Sequence, residues 1–311
     1  MRQRALGKTG LLVSELGLGT WGLLGAGYGH VDLTVAHDVV NRAMELGVTL
    51  FDVSDAYGAG TAEVHLGDWL PAEVTLVTRL GVDLSTYPPT RKYTPEFLRA
   101  RVEASLLRQR RSYLDVCMLH HPSEEDLRAG ALDVLALLRT EGKLAHTGVA
   151  CATAEVGRAA LCAGANVITV PYNLSYLDVF EGISGDVQLE RAGLIARSVL
   201  AYGLLSGTWT RGRSFEDGDH RAERWQRHEL DERLTQLDAL RFLVRAQITS
   251  LRDAAVRFPL SQEVVSAALL GPRSVGQLDE LVRGAGTGPT YIPDAAVREL
   301  WRSLARHGLS P

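Results

Sequence analysis

The sequence is poor in cysteine and in aromatic residues, and it lacks any long apolar run. Only three of its 311 residues are cysteines, Cys117, Cys151 and Cys162. Disulfide frameworks and zinc sites recur as closely paired cysteines, and this spacing does not show such pairs. We therefore expect buried, unpaired thiols and no metal ion.

An excess of charge of one sign is also missing. Thirty-three basic and 37 acidic residues give a net charge of -4, and no basic block interrupts the chain. Nucleic acid is therefore not an expected partner. No segment approaches the roughly 18 consecutive apolar residues that a membrane helix requires. The positively charged start leads into no apolar signal core, so we expect a cytoplasmic protein that acts on a small molecule. The oligomeric state is left open.

Strand-like and helical segments alternate along the whole chain. Such alternation is typical of a parallel sheet with crossover helices. Eight strands are predicted, at residues 14–19, 50–52, 75–78, 114–119, 147–150, 167–170, 195–199 and 265–269. Eight repeats favour a closed α/β barrel, the (β/α)8 or TIM barrel, as one domain over residues 1–311.

Helix signals support this interpretation. Thr94-Pro95-Glu96 combines an N-cap residue, a first-turn proline and an acid, and the segment after it carries a stripe of leucine and valine. Residues 38–47 and 294–308 are also predicted helices that close at a glycine. A doubly wound sheet is the competing fold, but residues 25–29 resemble its phosphate loop only loosely. Residues 210–229 form a polar, irregular segment that predicts a lid.

Polar residues follow several predicted strands at the ends that a barrel brings to one mouth. Asp52 and Tyr57 follow the second strand, Arg79 follows the third, and His120 with His121 ends the fourth. Each residue alone has a structural explanation, such as a helix cap or a core histidine. Their convergence on one mouth predicts an active site.

Five ordered segments resemble one known family. FDVSDAYGAG, followed by Glu63 and Leu66-Gly67, resembles the signature of the aldo-keto reductases. LGKTGLLVSELGLGTWG, YLDVCMLHHP, GLLSG and GPRSVGQLDE resemble its first hairpin and strand, its fourth strand and its cofactor segments. The resemblance covers nearly the whole chain and implies an NADP(H)-dependent carbonyl reductase.

The resemblance also implies roles for the four residues at the mouth. Tyr57 would be the general acid or base, His120 would orient the substrate, and Asp52 would pair with a cation. The family has a lysine at the position of Arg79. Arginine keeps the charge but has a different reach and hydrogen-bond geometry, so Arg79 could instead clamp an anionic substrate.

The nicotinamide contacts of the family are changed in this sequence. Ala150 and Cys151 replace a Ser-Asn pair, Thr169 replaces a glutamine, and Arg197 replaces a stacking aromatic residue. These changes leave open whether the cofactor binds weakly or has been lost. The remaining residues that the resemblance assigns to the cofactor are Thr20, Trp21, Ser198, Leu200, Gly203, Ser206, Arg273, Ser274, Gln277 and Glu280.

Three functions remain open at this point. The first is an NADP-dependent oxidoreductase that reduces a carbonyl or oxidises an alcohol. The second is a lyase, isomerase or cyclase that uses Tyr57, His120 and Asp52 for proton transfer without redox chemistry. The third is a binding or regulatory barrel without catalysis. Candidate walls of the substrate pocket are Trp21, Tyr28, His121 and Trp225.

Overall fold

Eight parallel strands close into a barrel in the computed structural model, which describes residues 1–25, 27–216, 218–225 and 227–306. Each strand pairs with the next along the chain, and the last pairs with the first. The strands are β1 (Leu16–Gly19), β2 (Leu50–Ser54), β3 (Thr75–Leu80), β4 (Leu114–His120), β5 (Leu144–Ala150), β6 (Val167–Pro171), β7 (Gly193–Arg197) and β8 (Val265–Leu270). The predicted (β/α)8 barrel is confirmed, and the doubly wound alternative is excluded.

The barrel interior is filled by strand side chains that point inward. Leu50, Val77, Val116, Val167 and Ile195 are among the fully buried members of this cluster. An antiparallel hairpin of Gln3–Ala5 and Leu12–Ser14 precedes β1. Its apolar residues join the same interior cluster and close the amino-terminal end of the barrel. The opposite, carboxyl-terminal end is left for function.

Helices cover the outside of the barrel. They are Trp21–Leu24, Leu33–Glu45, Thr61–Trp69, Pro95–Gln109, Glu124–Arg128, Ala131–Thr140, Ala154–Cys162, Asp178–Glu181, Ser184–Glu190, His220–Arg224, Arg227–Asp238, Leu251–Leu260, Val275–Ala285 and Asp294–Arg306. Three 3-10 helices lie at Tyr57–Gly60, Ala201–Ser206 and Arg241–Leu243, and a second short hairpin pairs Val82–Asp83 with Thr90–Arg91.

The predicted cap at Thr94 agrees with the structure, whereas the helix start predicted at residue 38 is wrong. The Thr94 side chain accepts a hydrogen bond from the Phe97 amide at 3.4 Å, and the helix starts at Pro95. The helix predicted at residues 38–47 begins five residues earlier, at Leu33, and is followed by Gly47 with φ +83°. The last predicted helix runs over Asp294–Arg306, and residue 308 lies outside the described residues.

The prediction of an irregular segment at residues 210–229 is wrong in its second half. Helix His220–Arg224 begins where the Asp219 carboxylate accepts from the Arg221 amide at 2.9 Å, and Arg227–Asp238 is a further helix. The second helix has a signal that the sequence prediction overlooked. Leu230, Leu234 and Leu237 recur at helical spacing and pack on the core.

Two further findings concern the cysteines and the helices. Cys117 and Cys151 are buried as expected, but Cys162 is exposed, because it ends a surface helix. All three thiols are free. None of the helices in the described parts of the chain is long and apolar enough to cross a membrane.

Candidate active site

A buried ion pair joins the ends of β2 and β3. The Arg79 Nε donates to Asp52 Oδ2 at 2.8 Å, and its Nη2 donates to the other carboxylate oxygen. The two residues are only 7% and 2% exposed. Burial raises the pKa of Asp52, and the charge of Arg79 opposes that shift. Burial lowers the pKa of Arg79, but Asp52 and Tyr57 outweigh it, so the pKa of Arg79 is raised. Arg79 is therefore a fixed positive charge at the mouth.

Tyr57 follows β2 and begins the 3-10 helix Tyr57–Gly60. The next two residues have positive φ, +56° at Gly58 and +52° at Ala59, so the chain turns sharply after the tyrosine. The Tyr57 side chain is 8% exposed. Burial raises its pKa above the usual 10.0, although the charge of Arg79 opposes the shift. The phenol therefore keeps its proton at neutral pH and can act as an acid.

The structure holds His120 from two sides. Its Nδ1 lies 3.2 Å from Ser54 Oγ, and its backbone carbonyl accepts from the Tyr93 hydroxyl at 2.7 Å. Burial, followed by the charge of Arg79, lowers the pKa of His120 well below the usual 6.5. The ring is therefore neutral at physiological pH, and Nε2 is left for a ligand.

His121 lies next to His120 in a strained backbone conformation. Its φ is +57°, and the two imidazole rings are 5.0 Å apart. Burial and the charges of Arg197 and Arg79 lower its pKa to about 3. Non-glycine residues in this region of φ are uncommon and cluster at ligand sites.

Sequence reasoning missed Ser54 and Tyr93. Ser54 lies two positions after Asp52 in the same strand, so alternation places both side chains on one face. Its hydroxyl lies within hydrogen-bond distance of the Arg79 carbonyl, 3.0 Å, as well as of His120. The spacing was a usable signal for Ser54. Tyr93 lies in the excursion between β3 and the next helix, and no pattern in the sequence places it near His120.

The opposite side of the mouth is formed by β5, β6 and β7. Ala150 and Cys151 are fully buried, and the Cys151 amide donates to the Thr169 carbonyl at 2.8 Å. The Cys151 carbonyl accepts from Arg197 Nη2 at 3.1 Å. Thr169 is 1% exposed, and its hydroxyl has no hydrogen-bond partner among the described residues. A buried, unsatisfied hydroxyl is costly unless a ligand completes it.

The chain after β7 makes a tight loop. Ser198, Ala201 and Tyr202 have positive φ of 57°, 46° and 60°, and Gly203 has 102°. The Leu200 carbonyl accepts from the Gly203 amide at 2.9 Å, and Ser206 Oγ lies 2.9 Å from Thr208 Oγ1. Backbone of this type can present amide N–H groups to an anion.

The segment after β8 leads into helix Val275–Ala285. Ser274 caps this helix by accepting from the Gln277 amide at 3.3 Å, and Gln277 Oε1 accepts from the Arg273 amide at 2.8 Å. Arg273 Nη2 donates to the Gly29 and His30 carbonyls, at 3.2 and 3.1 Å, while its Nε is buried without a partner among the described residues. Glu280 instead pairs with Arg252 at 2.5 Å.

The predicted pocket walls divide into two groups. Trp21 and Tyr28 contact each other, with ring centroids 5.0 Å apart, and both contact the ring of His220. Thr20, just before Trp21, is fully buried and donates to the Asp52 carbonyl at 2.8 Å. Trp225 belongs to the hydrophobic core and is 9% exposed. Its buried indole Nε1 has no hydrogen-bond partner among the described residues, so its place in the pocket wall stays a prediction.

Buried donors without hydrogen-bond partners at this end of the barrel indicate whether the residues present suit a bound dinucleotide. The Thr169 hydroxyl and the Arg273 Nε atom are buried without hydrogen-bond partners among the described residues. A hydroxyl suits an amide, and guanidinium groups suit phosphate. The residues present therefore fit a nicotinamide dinucleotide, although Ala150 supplies no polar side chain.

The fold is a parallel barrel of eight strands, and its carboxyl-terminal mouth holds Tyr57, His120 and the Asp52–Arg79 ion pair. This combination of fold and site defines a class of barrel enzymes. The profile described as "Aldo/keto reductase family" matches residues 15–286. The chain belongs to the aldo/keto reductase family.

Individual relatives cover nearly the whole chain. An aldo-keto reductase of Bacillus subtilis (strain 168) is 28% identical over 290 residues, which cover 90% of this chain and 88% of the relative. The NADH-specific methylglyoxal reductase of Escherichia coli (strain K12) is 27% identical over 335 residues, which cover 98% of this chain and 100% of the relative. The solved glycerol dehydrogenase of Gluconobacter oxydans is 26% identical, with a TM-score of 0.85 and coverage of 99% and 97% of the two chains.

These findings favour one of the three functions that the sequence left open. The protein is an oxidoreductase of carbonyl compounds that uses a nicotinamide cofactor. The non-redox and binding-only alternatives are not favoured. The family match does not extend to the choice between NADP(H) and NAD(H), to the substrate, or to individual residue roles.

Proposed function

We propose that the protein reduces the carbonyl of a small molecule with NADPH, or oxidises the corresponding alcohol with NADP⁺, and that Tyr57 is the general acid or base. The supporting observation is the buried Tyr57 hydroxyl beside a permanently charged Arg79. Tyr57 keeps its proton until a carbonyl oxygen gains negative charge. It can then donate that proton at the substrate oxygen.

Arg79 assists this transfer by its charge. A cation about 4 Å from a developing oxyanion contributes roughly 4 kcal/mol at an effective dielectric of about 20. Asp52 fixes the guanidinium through two hydrogen bonds, so the charge needs no reorganisation during the reaction. Arg79 in this way takes the part of the lysine that the family has at this position.

His120 positions the carbonyl. We assign the single Ser54 hydroxyl hydrogen to His120 Nδ1 rather than to the Arg79 carbonyl; the ring hydrogen is then on Nε2 and can bond the substrate oxygen. The lowered pKa keeps the imidazole neutral, so it orients the oxygen without competing with Tyr57 as a proton source. Ser54 is thereby a positioning residue.

The cofactor is assigned to the other side of the mouth. When bound, the nicotinamide supplies or accepts the hydride. We assign its carboxamide to the Thr169 hydroxyl, which has no partner among the described residues. The strained loop from Ser198 to Gly203, with Leu200 and Ser206, is assigned to the pyrophosphate. Charge balance and free thiols support a cytoplasmic location.

We further propose a preference for NADP(H) over NAD(H), with Arg273 and Ser274 at the 2′-phosphate. Arg273 has a buried Nε without a partner in the described chain, and Gln277 fixes its backbone. The Escherichia coli relative is NADH-specific by name, so the choice has to be measured.

Titration of the purified protein with NADPH and NADH, followed by tryptophan fluorescence and calorimetry, tests the cofactor proposal. Arg273→Met should raise the Kd for NADPH about 10- to 100-fold, because a charge-assisted hydrogen bond is lost, and leave the Kd for NADH unchanged. Arg283→Met, in the last turn of the same helix, is the matched control. Tighter binding of NADH by the wild type would contradict the proposed preference.

Tyr57→Phe tests the catalytic role. We expect kcat for carbonyl reduction to fall about 10²- to 10⁴-fold with little change in the Kd for NADPH, since only the proton donor is removed. Steady-state kinetics on the same preparation used for the titration gives both values. An unchanged kcat would eliminate Tyr57 as the acid.

A further inference from the structure

We infer that the substrate carries an anionic group, a carboxylate or a phosphate, and that Arg197 binds this group at the mouth of the barrel. The inference deepens the proposed function and rests on it. It makes Arg197 a specificity-determining residue, separate from the proton-transfer residues on β2 to β4.

Arg197 lies where a substrate group could reach it. It is the last residue of β7, and its guanidinium extends over β6 to the segment after β5, where Nη2 donates to the Cys151 carbonyl at 3.1 Å. Its charge acts on Asp52, Tyr57 and His120, which form the other side of the same mouth. Arg197 is therefore within electrostatic range of the reacting groups.

Arg197 has no acidic partner within ion-pair distance among the described residues. Its one hydrogen-bond partner there is a backbone carbonyl, and its buried Nε has none. Arg79, on β3 at the same mouth, is instead bound by both carboxylate oxygens of Asp52. A half-buried guanidinium with one neutral contact and a buried, unbonded Nε is unfavourable unless an anion completes it.

The surroundings add to this excess of positive charge. Burial lowers the pKa of His121 most, and the charges that lower it further are those of Arg197, Arg79 and Arg91, all positive. Asp52 is already bound by Arg79, and His120 and Tyr57 are neutral at physiological pH. A substrate anion would offset this field, whereas a neutral substrate would leave it uncompensated.

Arginine suits such a group by its geometry. Its planar fork presents parallel N–H donors that match the two oxygens of a carboxylate or phosphate. Neutral His121, adjacent to His120, can add one further donor. The pocket therefore has two separate sets of groups. Arg197 and His121 can donate to an oxyanion, and Tyr57 can donate a proton to the carbonyl.

The test compares substrates that differ in charge. Succinic semialdehyde is compared with butanal, and glyceraldehyde 3-phosphate with glyceraldehyde, at saturating NADPH. We expect the wild type to show kcat/KM at least about tenfold higher for one or both charged members, because a charge-assisted hydrogen bond is worth this much. The pair that responds identifies carboxylate or phosphate as the anion.

Variants then assign the preference to Arg197. Arg197→Met should lower kcat/KM for the charged substrate about 10- to 100-fold and for its neutral partner less than about threefold, while Arg197→Lys should recover part of the loss. Arg128→Met, an exposed arginine paired with Glu124, is the matched control. Equal loss for charged and neutral substrates, or no preference in the wild type, would overturn the inference.

Binding measurements separate this inference from the proposed function. Calorimetry with succinate and with glycerol 3-phosphate should show binding that Arg197→Met weakens at least about tenfold. If these anions bind through Arg197 but no aldehyde is reduced, the proposed function fails and the anion site stands. If aldehydes are reduced and Arg197→Met weakens only NADPH binding, the inference fails and the proposed function stands.

Discussion

The two sides of the barrel mouth differ in how their polar groups are satisfied. On the β2 to β4 side, Asp52 and Arg79 form a bidentate pair, and Ser54 and Tyr93 bond His120. On the β5 to β7 side, the Thr169 hydroxyl and the Arg197 Nε have no partner among the described residues. The charged pair on one side is complete within the protein, whereas the buried donors on the other side need a ligand to complete them.

Of the residues that we propose for proton transfer, only Arg79 departs from the family, whereas Ala150, Cys151 and Thr169, which we propose for the nicotinamide side, all depart from it. A buried ion pair is costly to change one residue at a time, because each loss leaves a buried partner unsatisfied. Groups that bond only a ligand can change with the ligand. We therefore assign substrate specificity to the altered side.

The largest effect should come from replacing the arginine on each side by methionine. Arg79→Met leaves Asp52 buried without its partner and should lower the free energy of unfolding by about 3 to 5 kcal/mol. Arg197→Met removes an unpaired charge and one hydrogen bond, so the net change should be under about 1 kcal/mol. Denaturant unfolding at pH 7 measures both. Equal losses would remove the distinction between the two sides.

A pair of buried threonines gives an intermediate effect. Thr78 in β3 accepts from Gln109 Nε2 at 2.9 Å, whereas the Thr169 hydroxyl has no partner among the described residues. Thr78→Val should cost about 1 to 3 kcal/mol of stability, and Thr169→Val less than about 0.5 kcal/mol. Thr169→Val should instead raise the Kd for the cofactor about two- to tenfold. A cofactor affinity that survives Thr169→Val would contradict its assignment to the carboxamide.

The smallest effect concerns the pH dependence of stability. The unfolded chain protonates His121 near pH 6.5, whereas the folded protein keeps it neutral down to about pH 3. The unfolded state thus binds more protons in this window, and the free energy of unfolding falls as pH decreases from 6.5, by at most about 1.4 kcal/mol per pH unit for this group. His120 contributes with the same sign. His121→Asn, which tolerates positive φ, should flatten the slope. An unchanged slope would show that His121 titrates alike in both states.

The strands were predictable because each is a short apolar run with a clear boundary, and β6 was placed within one residue. Helix Arg227–Asp238 was missed since its charged surface obscured three leucines at helical spacing. At the site, four residues could be found because they lie at or just after the carboxyl ends of apolar strands: Asp52, Arg79, Tyr57 and His120. Tyr93 could not be predicted, because its hydroxyl reaches the His120 carbonyl only through the fold of the segment between β3 and the next helix.

The sequence by itself determined the barrel, the family resemblance and the four residues at the mouth, since local apolar periodicity and short motifs carry that information. It also showed that Arg197 is unusual for the family. Only the tertiary structure decided that Arg79 is paired with a carboxylate and that Arg197 is not. Partners for the two guanidinium groups come from strands far apart in the chain, and burial of a charge depends on everything packed around it.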